Sequence, residues 1–501
     1  MGIPSYYRRL TGSVNGILHK TRPSIVVTGG VQKLLMDFNC LIYHVLRQPD
    51  RAPYPSMEDE RVQWTDQLYD DIVRYTLRVI RMTGAEGVFI AVDGVVPMAK
   101  IRQQRMRRFK SAALSSGKSF DTNAITPGTQ FMDGLKVRLE EMIVDEKKEG
   151  KWILSSADEP GEGEHKLLNH LRLCEPADDR SYVVYGLDGD LIVLLLWAQA
   201  LGITGSAPVW LYREDIEGGD VKCINGEEQY VWFSINRLRD YLSDVEGVHI
   251  EDYCATMMLL GNDFIPSSLT FKIKDGGHTF LLGWLKREKG RFLENGQLNI
   301  DVWRRLFAQL AAVEERRFLE AIQKKWRTVA KNPAEEQPLE WRAEKIFLAD
   351  ADALSLRKDW RDVYCSAAFY SNAAVNVSAA VDAYYTTMAW IIDYYTGRPV
   401  AMDWMYAWNL PPLWEDIVRG GAAVAPNAVT VDIKAREQLA LVLPAASWWL
   451  IRGDVESRFI EAAPEFFPRK FELESIGKRF NWECEAIIPI PTIHQLRAVI
   501  A

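Results

Sequence analysis

Short apolar runs recur through the first half of the chain, each closed by glycine, aspartate or serine. Lys33–Met36, Val88–Val92, Lys151–Leu154 and Tyr182–Tyr185 are of this kind. They are too short for buried helices and lack the alternation of a half-solvated strand, so they predict strands covered on both faces. Between them, apolar positions fall three and four apart, as in Val62–Met82 and His165–Leu173, which predicts helices. Strands alternating with helices predict an α/β domain around a mainly parallel sheet.

Beyond about residue 300 the pattern changes. Val302–Arg327 reads as one long helical stretch with mixed charges. Thr328–Pro338 is polar and holds Pro333 and Pro338, the signature of a linker. The expected division is a catalytic domain over 1–330, a linker over 331–345 and a second, mostly helical region over 346–501. That region is rich in aromatic residues, notably Tyr384–Trp414, and Gly420–Ala428 predicts a loop.

Composition narrows the class. Apolar residues are 48% and charged residues 26% of the chain, which excludes a disordered or collagen-like protein. No apolar run is long enough for a spanning helix, and Met1–Leu10 lacks the apolar core of a signal peptide. Six scattered cysteines without a C-x-x-C pair predict a reducing compartment, the cytoplasm or nucleus, and no zinc finger. The formal net charge of −8 argues against a non-specific nucleic-acid binder, unless the acids gather where cations reverse the local sign.

The acids do gather. Leu34-Leu35-Met36 runs into Asp37, and Phe89–Val92 into Asp93. The strand ending at Tyr185 leads to Asp188 and Asp190, and the one starting near Trp152 leads to Gly161-Glu162-Gly163-Glu164. The apolar run Met257–Leu260 gives way to Asn262-Asp263. One acid after a strand is ordinarily a turn residue or helix cap. Seven at equivalent topological positions predict one site, because ligands of open α/β sheets sit beyond the carboxyl ends of the strands. Oxygen-only ligands suit Mg²⁺ or Mn²⁺. Two such ions would flank the attacking and leaving oxygens of a phosphodiester.

A cationic stretch follows Asp93. In Lys100-Ile101-Arg102-Gln103-Gln104-Arg105-Met106-Arg107-Arg108, the residues Lys100, Gln104, Arg107 and Arg108 share one helical face. Alone this is a solvated basic face; beside the acids it predicts a pocket for a terminal phosphate.

With these segments in view the chain resembles the 5′→3′ exoribonuclease family, XRN. The resemblance is carried by Met1-Gly2-Ile3-Pro4-Ser5-Tyr6-Tyr7-Arg8, Met36-Asp37-Phe38-Asn39, Val92-Asp93-Gly94-Val95-Val96-Pro97-Met98-Ala99-Lys100 and Gln103–Phe109. Thr126-Pro127-Gly128-Thr129, Pro160–Lys166, Tyr185–Leu191 and Gly261–Pro266 extend it. Weaker echoes follow at Tyr394–Pro399, Glu437–Leu439, Val442–Pro444 and Gly477–Trp482. The resemblance implies a PIN-like α/β nuclease domain braced by the second region. It implies Asp37, Asp93, Glu162, Glu164, Asp188, Asp190 and Asp263 as metal ligands for two Mg²⁺ (or Mn²⁺) ions. It further implies Lys100, Gln104, Arg107 and Arg108 as the 5′-monophosphate pocket.

The family has a histidine shortly after its first aspartate, stacked on the 5′ base. Tyr43 stands at the matching step here and His44 at the next, and either ring could serve. Trp404 is the candidate for the second stacking wall, in a motif whose spacing differs from the family pattern. The chain ends just after the second region, so the accessory domains of larger relatives are not expected. The function implied is hydrolysis of single-stranded RNA from a 5′-monophosphate end to 5′-mononucleotides, with no membrane role. The alternatives are a flap-type DNA 5′ nuclease, for which no helix-hairpin-helix element is evident, and a non-catalytic RNA-binding scaffold.

Overall fold

The computed structural model describes residues 2–114, 119–175, 180–217, 219–327, 329, 344–350, 354–369, 373–421, 431–451, 455–478 and 480–500. Its centre is a seven-stranded sheet: β1 (Leu18–His19), β2 (Val31–Asp37), β3 (Ala85–Ala91), β4 (Trp152–Ser155), β5 (Ser181–Tyr185), β6 (Val209–Glu214) and β7 (Tyr230–Ser234). The spatial order is β1-β7-β6-β5-β2-β3-β4. The strands from β6 to β4 run parallel, and β7 and β1 close one edge antiparallel. All four predicted strands are present, within a mainly parallel α/β sheet as expected.

Nine helices position the site: α1 (Asn39–Leu46), α2 (Glu58–Thr83), α3 (Met98–Leu114), α4 (Gln130–Asp145), α5 (Gly163–Leu173), α6 (Asp190–Ala200), α7 (Ile250–Met257), α8 (Ala373–Thr396) and α9 (Ala435–Val442). Side chains of β2 alternate between faces. Leu34 and Met36 join a core with Leu68 and Ile72 of α2 and Leu139 of α4, whereas Leu35 joins one with Leu167 of α5 and Leu191 of α6. Both faces are therefore covered, which is why these strands read as unbroken apolar runs. The chain builds outward from β2 through β3 to β4, then returns to the other side of β2 to form β5. That reversal puts the topological switch point, where open α/β sheets bind ligands, at the carboxyl ends of β2 and β5.

Each core cluster that the second region enters also holds residues of the first. Tyr384, Tyr385, Trp390 and Ile391 of α8 pack into the same cluster as Leu35 and Leu191. Leu439, Leu441 and Val442 of α9 pack against Val96, Ile101 and Phe109 around α3. Residues 331–343 of the proposed linker and residues 422–428 of the proposed loop lie outside the described residues.

One expectation needs correction. The stretch Val302–Arg327 is two helices, Ile300–Ala311 and Glu314–Trp326. Their apolar stripes serve different cores. Trp303, Leu306 and Phe307 face the cluster under α8, while Phe318 and Ile322 face one with Trp360 and Tyr364. A turn at Ala312–Val313 redirects the chain between them. Among the described residues, no helix is long and apolar enough to cross a membrane.

Candidate active site

The four adjacent parallel strands β5, β2, β3 and β4 each deliver acids to the same sheet edge. Asp37 is the last residue of β2, and Asp93 lies just past β3. The backbone N–H of Asp93 donates to Asn39 Oδ1 at 3.1 Å, and Asp93 Oδ1 accepts from the N–H of Gly163 at 2.7 Å. The entry of α5 carries Glu162 and Glu164, both buried. Asp190 opens α6, buried, while Asp188 before it is exposed at the mouth. Asp263 follows the 3₁₀ turn Met258–Leu260 that continues α7.

The electrostatics of these carboxyls are linked. Burial, then the charges of Asp93, Asp188 and Asp190, push the Asp37 carboxyl well above the usual range. Burial, then Asp190 and Glu162, do the same to Glu164. Burial, then Asp188 and Asp263, raise Asp190 to about 7. Each of the seven predicted acids thus acts electrostatically on at least one of the others, as a self-repelling cluster.

The cation that enters this cluster is Lys100. Its ammonium pairs with Glu162 and, at 2.9 Å, with Asp263. Burial opposes ionisation of Asp263, but Lys100 overrides it and holds that carboxyl well below its ordinary value. Burial outweighs the same partner at Glu162, which is raised. The cationic groups that act on these acids are fewer than the seven carboxylates, and the donors are hard oxygens. The residues present fit a divalent-cation centre. Glu162, Glu164 and His165 offer ligand atoms all within 4.8 Å of one another, and His165 Nε2 lacks a hydrogen-bond partner.

The basic stretch is a buried helix rather than a solvated face. Gln104 and Arg108 of α3 are buried, and Gln104 Oε1 and Arg108 Nη1 have no partner. Burial lowers the Arg108 guanidinium to about 10, and the charges of Tyr43 and Asp93 act back on it. Arg107 is exposed and its charge reaches Asp263. The predicted cationic set therefore borders the acids, with Lys100 inside the cluster.

The structure separates the aromatic candidates. His44 Nε2 pairs with Glu228 Oε1 at 2.8 Å, and its ring packs on Tyr75, away from the acids. Tyr43 is half-buried, with the Arg47 guanidinium over its ring at 5.5 Å, and it lies within electrostatic range of Arg108. Trp404 is half-buried and donates through Nε1 to Thr387 Oγ1 at 3.2 Å.

Several contributors escaped the sequence reading. Lys166 donates to the carbonyls of Val92 at 2.8 Å and Ser156 at 2.7 Å, clamping the ends of β3 and β4; burial brings its ammonium down to about 8. Tyr394 of α8 donates to Glu162 Oε1 at 2.9 Å, and Tyr395 accepts from Asn262 Nδ2 at 2.9 Å. Only proximity in space could reveal these, although Tyr394-Tyr395 stood in a noted motif. Gly2 lies against Asp190: a Cβ there would come within 2.9 Å of the Asp190 carboxyl.

Gly94 is fixed by close approach. It donates to Gly161 O at 2.9 Å, and a Cβ at this position would sit 1.7 Å from Glu159 O. Gly94→Ala is expected to destabilise the protein by roughly 1–3 kcal/mol or more, as overpacking against backbone does. Urea denaturation measures this; an unchanged midpoint would mean that the Asp158–Gly161 loop moves aside freely.

Residues 1–204 match the family model described as the XRN 5'-3' exonuclease N-terminus. The 5'-3' exoribonuclease 1 of Homo sapiens is 26% identical over an alignment spanning 100% of this chain and 34% of that protein. The 5'-3' exoribonuclease 2 homolog of Drosophila melanogaster is 22% identical over 98% of this chain and 69% of its own length. The 5'-3' exoribonuclease 2 of Saccharomyces cerevisiae is 30% identical over 56% of this chain and 35% of its own. The chain thus spans about a third of the length of the human and yeast relatives. Over residues 1–204 it is similar to the N-terminal region of the XRN 5′-3′ exonucleases, and similarity to named 5'-3' exoribonucleases extends along most of the chain.

Proposed function

We propose that this chain is a divalent-metal-dependent 5′→3′ exoribonuclease acting on single-stranded RNA with a 5′-monophosphate, and that it releases 5′-mononucleotides. The observation that carries the reading is the juxtaposition of the seven-carboxylate cluster with the buried, unsatisfied donors and acceptors of α3. The exonuclease names of the relatives support the direction of attack and the polymer.

Asp37, Asp93, Glu162, Glu164, Asp188, Asp190 and Asp263 would hold the ions, most naturally Mg²⁺ or Mn²⁺. Bound there, a metal pair supplies an activated water and charge compensation for the leaving 3′ oxygen. Arg108 and Gln104, with Arg107 at the rim, are the groups to bind the terminal phosphate, with the guanidinium fork presenting paired N–H donors. Lys100, on the same helix, is paired with Glu162 and Asp263, so its charge serves the acid cluster in this state. Tyr43 offers a face for the first base, and stacking of this kind is tolerant of sequence. His44, paired with Glu228 and packed on Tyr75, is the less favoured of the two rings for that role.

The deciding assay compares 5′-monophosphate, 5′-hydroxyl and 5′-triphosphate RNA, and matching DNA, in Mg²⁺ and in EDTA. The reading requires mononucleotide release from 5′-monophosphate RNA in Mg²⁺ alone. Cleavage confined to flapped DNA would replace it with the structure-specific nuclease, and no cleavage with a scaffold. Within this assay Arg108→Ala should lower the ratio of 5′-monophosphate to 5′-hydroxyl rates by roughly ten- to a hundredfold, since a charge-assisted contact is worth about 1.5–3 kcal/mol. Equal slowing of both substrates would return α3 to a purely structural role.

A further inference from the structure

The last turn of α8 reaches into the carboxylate cluster from the far side of the linker. Its two consecutive tyrosines do different things. Tyr394 OH donates to Glu162 Oε1 at 2.9 Å. Its ring lies on His165, with centroids 3.7 Å apart, and stacks on Trp390 one helical turn earlier at 4.8 Å. Phe264, the neighbour of Asp263, meets the same ring edge-on at 5.4 Å. Tyr395 OH accepts from Asn262 Nδ2 at 2.9 Å, and Asn262 Oδ1 in turn accepts from the N–H of Phe264 at 2.9 Å, closing a loop around Asp263. The charges of Asp190 and Glu164 bear on the Tyr395 hydroxyl.

Both side chains are buried. A phenylalanine would supply the same ring area, so packing does not account for the hydroxyls. A buried hydroxyl is costly unless it is used. Here each is used on an acid-bearing segment: Tyr394 on Glu162 itself, Tyr395 on the turn that aims Asp263. Among the described residues, the Glu162 carboxylate has one other side-chain partner, the Lys100 ammonium.

We infer that Tyr394 and Tyr395 are positioning residues of the metal centre, so that the second region sets the affinity of the carboxylate cluster for divalent cations. The inference rests on the proposed metal role of the acids and names how it is controlled. Groups that orient a metal ligand commonly change metal affinity ten- to a hundredfold when removed. By contrast, a residue serving only as core would change folding and leave metal affinity alone.

The test uses the full chain and Mg²⁺ alone as probe. The melting temperature is followed through a Mg²⁺ titration without RNA, for wild type, Tyr394→Phe and Tyr395→Phe. For Tyr394→Phe the Mg²⁺ concentration giving half of the full stabilisation should rise about tenfold or more, with the EDTA melting temperature close to wild type. Tyr395→Phe should shift it the same way by less, because it acts through Asn262. In turnover assays the Mg²⁺ half-saturation should rise by the same factor and excess Mg²⁺ should restore kcat. The 5′-monophosphate to 5′-hydroxyl rate ratio should stay at the wild-type value. Wild-type Mg²⁺ response in both variants, or a lowered EDTA melting temperature as their sole change, would overturn the inference while leaving the proposed function standing. A wild-type protein that Mg²⁺ and Mn²⁺ fail to stabilise at all would overturn both.

Discussion

Asp190→Ala is expected to reduce turnover of 5′-monophosphate RNA by at least about a hundredfold, on the scale of other electrostatic active-site lesions. Asp190 is buried at the start of α6, and its carboxyl, raised to about 7, faces Asp188 and Asp263. It is one of the acids without a cationic side chain at hydrogen-bond distance, in contrast to Asp263 and Glu162. Its contribution in the metal-free protein is therefore repulsive, and the melting temperature in EDTA should not fall. The stabilisation that Mg²⁺ confers on the wild type should shrink in the variant. Near-normal Mg²⁺-dependent turnover, with the wild-type Mg²⁺ shift, would remove Asp190 from the centre.

The second large effect is on stability. Arg105 of α3 is completely buried and points away from the acids. It donates to the carbonyls of Leu441 at 2.7 Å, Pro489 at 3.1 Å and Phe466, three separate segments of the second region. Its guanidinium also lies over the rings of Phe109 at 4.4 Å and Phe467 at 5.3 Å. Burial lowers its pKa to about 9, so part of the gain is spent on desolvation. Arg105→Met would keep the stem and leave three carbonyls without donors, each worth roughly 1–3 kcal/mol. Net of the recovered desolvation, a loss of about 3 kcal/mol is expected in urea denaturation. A wild-type midpoint would show that the apolar contact between α3 and α9 suffices to hold the second region.

The strands of the sheet were legible because burial on both faces writes an unbroken apolar run into the sequence, as in Leu34-Leu35-Met36 and Tyr182–Tyr185. The acids were legible because a parallel sheet sends every strand end to the same edge, so local position implied global proximity. The pairing of α3 was only half legible. Periodicity placed Lys100, Gln104, Arg107 and Arg108 on one face, but Arg102 and Arg105, of the same residue type, turned out to bind backbone carbonyls of the second region. A charge pattern shows which residues share a face, not what that face meets.

The sequence by itself determined the α/β class, the mainly parallel sheet and the seven carboxylates that share its edge. Only the tertiary structure decided that Val302–Arg327 breaks into two helices, that His44 turns to Glu228, that Tyr394 reaches Glu162 and that Lys166 ties the ends of β3 and β4 together. The physical reason is range. Strand and helix periodicities are local properties of ten or twenty residues, whereas a hydrogen bond between Tyr394 and Glu162 joins positions 232 residues apart, and nothing in either local sequence fixes the other's place.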